Sequence, residues 1–380
     1  MINLPAHLHF IQGLNCSIQD SLSNASAQSL TLGELCQLAD QAINRFQQVK
    51  LGYAPLKGDL ALRQRIVEFH QQLNHHQTAL AEDNVLTFCG AQEALASIYQ
   101  TLLSRGDEVV VLTPNYPSLT AMAEDYGCIV KKVNLDPEQG WHINFDDIKR
   151  AVNKRTKLIV LNSPHNPSGV IIDSSLAEQI LELAKQYNCY LLADDVSQAS
   201  NYQQHSLSHR YLDYDKGLVV SVLSKSFGLA GIRIGWVISK NKRLINNLLA
   251  IKSYGSICCS AIDEAAANLA LTVSDKILKN NNDIIKENTQ LFTSFIDEHS
   301  EMFSWTPPQA GILAIVKVNC EQPIELWAKN FVEKTGVLIL PTSLFGLSGN
   351  YFRLGLGQKN FKQLLSTLSR FVDIHHASKV

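Results

Sequence analysis

From Val85 onward the chain alternates short apolar runs with amphipathic stretches. The runs VLTF (85–88), EVVVL (108–112), CIVKKV (128–133), KLIVL (157–161), CYLLA (189–193) and LVVSVL (218–223) read as buried strands, and between them the pattern turns helical, from Ala91, from Ser118, over FDDIKRAV (145–152) and from Ser174. Strands alternating with helices over about 140 residues predict an α/β domain with a mostly parallel sheet and right-handed crossovers. After Trp236 come a helix over 242–253, a long helical stretch over 261–298, and then strand ILAIVKV, helix PIELWAKNFVEKT, strands VLILP and YFRLGLG and helix FKQLLSTLSRFV. That order predicts a smaller α+β domain. The expected division is 46–272 for the large domain and 1–45 plus 273–380 for the arm and small domain. The arm is polar (CSIQDSLSNASAQS) and leads into a short helix with Thr31 or Ser29 as its N-cap.

Composition narrows the function classes. With 380 residues, 46% of them hydrophobic, and a net charge of −2, the chain has a substantial core and no basic stripe. Nucleic acid and anionic membrane are therefore not implied partners, and a small molecule is expected. The eight cysteines (16, 36, 89, 128, 189, 258, 259 and 320) show no CxxC spacing, which fits a reducing cytoplasm. No uncharged apolar run of about 18 residues occurs, and the N-terminus does not read as an export signal. His75, His76, His375 and His376 lack a spaced partner, so solvated histidines are expected there and no metal site.

The candidate chemistry sits where strands end. Lys225 follows LVVSVL and so emerges at the carboxyl end of a buried strand, where α/β folds place ligands. Taken alone, K-S-F-G is an ordinary solvated turn. Gly90-Ala91-Gln92 opens a helix after VLTF and offers free N–H groups to an anion. Gly228 and Gly231 allow a tight turn that aims Arg233 at the same anion; the spacing is not GxGxxG and a strand follows, which disfavours a nicotinamide dehydrogenase. Asn162 to Gly169 (NSPHNPSG) closes KLIVL with two X-Pro bonds and can present Asn166 into a crevice, or be a plain turn. Asp194 and Asp195 end CYLLA, as ligand-facing carboxylates or as a cap. Together these give an anion cradle, an asparagine, a carboxylate, an amine and an arginine. Pyridoxal 5′-phosphate (PLP) requires that set.

With Tyr53, Gly58, Leu62-Arg63, GAQEAL at 90–95, P-x-Y-P at 114–117, HNPSG at 165–169, Asp194, SKSFGLAGIRIGW from Ser224 and FRLG from Phe352, the chain resembles the class I/II aminotransferases, fold-type I PLP enzymes, over residues 50–370. The resemblance implies that Lys225 forms the Schiff base and then moves protons at the substrate. It implies that Asp194 holds the pyridine nitrogen protonated, Asn166 bonds the ring oxygen, and Tyr116 stacks on the ring. Gly90, Ala91, Gln92, Ser224 and Arg233 would cradle the phosphate, with Tyr53 reaching the phosphate of a partner subunit in a homodimer. Arg353 would grip the α-carboxylate of an amino acid.

Two positions depart from that family's pattern. Ser197 stands where a tyrosine usually bonds the ring oxygen, and Val222 where a phosphate-binding hydroxyl is common. TLGEL (31–35), the 145–169 stretch and VLSKSFGLAGIRIGW resemble the branch with capreomycidine synthase and the PLP-dependent arginine oxidases, which implies chemistry on an arginine-type side chain, with O2 as electron acceptor for the oxidases. Asp20 and Asp195 are the candidate guanidinium partners, with solvated charges as the competing reading, and Asn166 would also face the substrate. An ordinary aminotransferase using a 2-keto acid is the alternative. A non-catalytic regulatory module is disfavoured, because Lys225 is present and the arm carries neither a helix-turn-helix nor a basic patch.

Overall fold

A computed structural model describes residues 4–41, 43–73, 79–200 and 208–377. His75 and His76 lie outside the described residues, as do the side chains of His375 and His376. The arm contributes a two-residue strand, β1 (Asp20–Ser21). The large sheet follows with β2 (Val85–Phe88), β3 (Glu108–Thr113), β4 (Ile129–Asn134), β5 (Thr156–Asn162), β6 (Tyr190–Asp194), β7 (Gly217–Val222) and β8 (Gly235–Ile238). Their spatial order is β2-β8-β7-β6-β5-β3-β4. All neighbouring pairs are parallel except the two that β8 makes, with β2 and with β7. The twelve-residue link between β7 and β8 carries no helix with which to cross over the sheet, and its glycine-containing turns return the chain antiparallel beside β7.

The apolar runs are buried along their whole length in β2, β3 and β7, as strands covered on both faces must be. One face packs a cluster that includes Leu62, Ile159, Leu191 and Trp236; the other packs Leu95, Ile98, Val160 and Leu248. A third core gathers Leu22 from the arm with Phe292, Phe303, Trp327, Phe331, Phe352 and Phe371. It backs a four-stranded sheet of β9 (Phe303–Trp305), β10 (Leu313–Val318), β12 (Leu340–Pro341) and β13 (Tyr351–Gly355), in the order β12-β13-β10-β9.

Three details differ from the sequence pattern. VLILP is two strands: β11 (Val337–Leu338) pairs in parallel with β1, while β12 pairs with β13. The helical stretch 261–298 is two helices, Ala261–Thr272 and Ser274–Glu298, broken at Val273 (φ −116°, ψ 26°). The arm also carries a short helix, Ala6–Gln12, with no buried residue, which is why no apolar periodicity announced it. Thr31 is the N-cap of the next helix, in a capping box with Glu34. No described helix is long and apolar enough to cross a membrane.

Candidate active site

The carboxyl ends of β5, β6 and β7 lie side by side, because Asn162 pairs in register with Asp194 and Asp194 with Val220. The Asn162 amide donates to the Asp194 carbonyl at 2.9 Å and accepts from the Asn166 N–H at 2.6 Å, so one side chain fastens the strand end to the loop after it. Beyond these ends opens a cavity of about 320 Å³. Its walls include Ala91, Gln92, Tyr116, Asn166, Asp194, Ser224, Lys225 and Arg233, brought together from five separate stretches of chain.

At one end the cavity is built for an anion. Gly90 caps helix Ala91–Leu102 at φ +88° and has no side chain with which to cap the first N–H groups. A Cβ there would stand 2.5 Å from the Arg233 guanidinium, so the glycine makes room for the arginine. Arg233 donates to Ser224 Oγ at 3.3 Å and to the Ala230 carbonyl at 2.9 Å, which hold it against the helix end. Free N–H groups, a hydroxyl and a guanidinium are the donor set that a phosphate takes.

Deeper in, Lys225 and Asp194 influence each other. Burial, then the charge of Arg353, pulls the Lys225 amine down to about 8 against the opposing pull of Asp194. Burial pushes the Asp194 carboxyl up to about 6, opposed by the Val196 N–H that it accepts and by Lys225. At neutral pH the carboxylate is therefore ionised. The amine deprotonates close to physiological pH, which suits a base. In the cofactor-free protein the two shifts act on stability with opposite signs. The raised Asp194 value means the folded state binds more protons, so stability falls as pH rises from about 4 to about 6. The lowered Lys225 value means it binds fewer, so stability rises from about 8 to about 10.5. Urea unfolding across pH should show both slopes, and Asp194→Asn should flatten the acidic one while extending the basic one to lower pH, because it removes the charge that opposes the lowering of Lys225.

Arg353, on β13, is buried and is not itself on the wall of this cavity, though its charge acts on Lys225. One Nη donates to the Ser23 carbonyl at 2.9 Å, and the guanidinium lies 4.6 Å from the Phe345 ring centre. Its Nε is buried with no partner, as is Asn166 Oδ1 near the middle of the site. Buried polar atoms are seldom left unpaired, and these two mark where a ligand would bond.

The remaining predicted residues lie elsewhere. Asp20, in β1, accepts from the Ser21 N–H at 2.8 Å and from the Asn360 amide, and is not on the cavity wall. Asp195 is buried just past β6 with its N–H on the Val220 carbonyl at 2.8 Å, and it too is off the wall. The Asp20 placement does not support a guanidinium partner, since Ser21 and Asn360 take its carboxylate. Ser197 is buried in that same turn and Val196 takes the wall position. Val222 is on the wall, an apolar group where a hydroxyl is common. Tyr53 is 87% exposed and lines a separate surface groove with Leu51, Cys259 and Ile262. The sequence pattern did not single out Asn162, Asn24 or Ser26, which line the cavity, nor His7, whose ring stacks on Phe345. Asn162, the last residue of an apolar strand, carried a readable signal; the arm residues carried none.

Residues 19–368 match the family model described as aminotransferase class I and II. The chain belongs to that family. Its members depend on PLP, and the donor set fits that cofactor from phosphate cradle to pyridine carboxylate. Among curated relatives, the probable aspartate aminotransferase of Methanocaldococcus jannaschii is 27% identical, covering 85% of each chain. The capreomycidine synthase of Streptomyces vinaceus is also 27% identical, covering 86% of this chain and 82% of that one. A PLP-dependent aminotransferase from Streptococcus suis, of known crystal structure, superposes with a TM-score of 0.90 at 28% identity over 98% of both chains. The chain is thus a PLP-dependent enzyme of fold-type I.

Proposed function

We propose that this aminotransferase-family enzyme transfers the amino group of an L-α-amino acid to a 2-keto acid. What carries the reading is the half-buried Lys225 amine on the cavity wall, which feels the charge of both the Asp194 carboxylate and the Arg353 guanidinium. Bound PLP supplies an electron-accepting ring that stabilises negative charge at the substrate Cα. Arg353 binds the substrate carboxylate, which also satisfies its free Nε and orients the Cα hydrogen toward Lys225. Lys225 would take that proton from Cα and pass it to the cofactor carbon bonded to the amino nitrogen, Asp194 would keep a proton on the pyridine nitrogen, and Asn166 would bond the ring oxygen. Tyr116 covers the ring face, and Ser224, Arg233 and the 90–92 turn hold the phosphate.

A homodimer with shared sites goes with this reading. Leu51, Tyr53 and Tyr254 are 83%, 87% and 94% exposed, more than three large apolar side chains keep on a solvated surface without reason, and in such a dimer Tyr53 would reach a partner's phosphate, as the family resemblance implies.

An arginine-directed enzyme, either an O2-consuming oxidase or one resembling capreomycidine synthase, is the second reading. Ser197 in place of the tyrosine and the likeness to capreomycidine synthase favour it. Against it, Asp194 is the only carboxylate among the described residues that line the cavity, and the pyridine nitrogen would claim it. The test is to supply L-arginine and a panel of amino acids in air, with and without a 2-keto acid, while following keto-acid formation and oxygen uptake. Turnover that depends on the keto acid and consumes no oxygen is expected. Oxygen uptake with arginine alone would reverse the order of the two readings.

A further inference from the structure

Resting on the reading of this cavity as an amino-acid site, we infer that His7 is a specificity-determining residue that hydrogen-bonds the substrate side chain and selects side chains ending in an acceptor oxygen, carboxylate or amide, over aliphatic and guanidinium ones. The imidazole reaches the substrate end from helix Ala6–Gln12. Its ring stacks on Phe345 with centroids 5.9 Å apart at 18°, and stands 6.2 Å from the Tyr116 ring. Phe345 also carries the Arg353 guanidinium, 4.6 Å from its centroid. His7 is thus placed against the carboxylate grip on one side and the ring-covering tyrosine on the other, the space a substrate side chain must cross.

Two buried nitrogens at this end lack partners, Arg353 Nε and His7 Nδ1. The α-carboxylate completes the first. The second is left for another ligand atom, and a buried donor left unmet weighs against any ligand that cannot reach it. The local charge says which atom suits it. Burial, then Arg353, then Lys225 lowers the His7 pKa from its ordinary value, so the ring is neutral at physiological pH and can donate from Nδ1. Those two cations also favour an acceptor or an anion there and oppose a third cation. An aliphatic side chain would leave Nδ1 unpaired, and specificity between substrates is greatest where a site polar group is satisfied by one and stranded by the other.

Binding can be separated from turnover with α-methyl amino acids, which lack the Cα hydrogen. Titrating the holoenzyme with 2-methylaspartate, 2-methylalanine and 2-methylarginine, and following the visible absorbance of the bound cofactor, gives a Kd for each. His7→Ala should raise the Kd for 2-methylaspartate about tenfold, the equivalent of one such hydrogen bond, and leave that for 2-methylalanine within about twofold. His7→Gln, which keeps a donor, should recover part of the loss. Equal weakening of all three ligands, or no change in any, would overturn the role, as would tightest wild-type binding of 2-methylarginine. If the wild type bound 2-methylaspartate yet transferred no amino group to any keto acid, the proposed reaction would fall while the same Kd ratios still decided His7.

Discussion

Lys225→Ala should lower turnover by at least about 10³-fold, since it removes both the amine that anchors the cofactor and the group that moves the proton at Cα. The visible absorbance of the lysine-bound cofactor should vanish with it. The loss should not reflect unfolding. Lys225 is a half-buried amine whose pKa its surroundings lower, and its removal relieves an unfavourable desolvation while leaving the strand before it intact. The mutant should therefore keep its thermal midpoint within a few degrees in the cofactor-free form. Added methylamine should restore part of the proton transfer, because the cavity left by the side chain opens on the reacting carbon. A Lys225→Ala enzyme with wild-type turnover would remove the basis for the assignment.

Arg353→Ala should act differently. Its guanidinium is buried, and burial, partly opposed by Tyr116, brings it down to about 10, still far above neutral, so it is a fixed cation at any working pH. Truncating one partner of a buried charge pair costs about 2–5 kcal/mol, which places the loss in kcat/KM between roughly 30-fold and several thousandfold. Most of it should appear in KM for amino and keto substrates alike, since both bear the carboxylate. The lysine-bound cofactor absorbance should be unchanged, which separates this variant from Lys225→Ala. Arg353→Lys should recover little: an ammonium cannot both hold the Ser23 carbonyl and offer a second parallel donor to a carboxylate. Steady-state kinetics with one amino donor and one keto acceptor, varied in turn, checks all three variants.

Much of this was written in the chain. The apolar runs located the six strands of the large sheet that run in one direction, because strands covered on both faces, as β2, β3 and β7 are, need continuous hydrophobic segments, and Asn162, Asp194 and Lys225 fell at or just past carboxyl ends for the same topological reason. Val337 to Pro341 shows where pattern fails. It reads as one strand, yet the chain shifts partners at Ile339, serving β1 and then β13, and which neighbour is available is a tertiary fact. The substrate end was the least legible part. Asp20 and Asp195 are acidic and close in sequence to site elements, but hydrogen bonds to Asn360, Ser21 and the β7 backbone decide where they sit. His7 lies in a helix too short and too exposed to leave a periodic signature, and only the packing of that helix on Phe345 brings it to the site.

The arm between β1 and the helix at Thr31 touches both halves of the cavity within a few residues. Ser23 bonds the backbone and the guanidinium of Arg353, while Ala27 N–H donates to the Lys225 carbonyl at 3.0 Å and Ser29 Oγ to that of Gly228 at 2.7 Å. A stretch from 23 to 27 spans no more than about 14 Å when taut. The arm therefore acts as a ruler: it sets how far the Arg353 guanidinium can stand from the Lys225 amine, and with that, in the proposed function, the length of the molecule the two can hold between them.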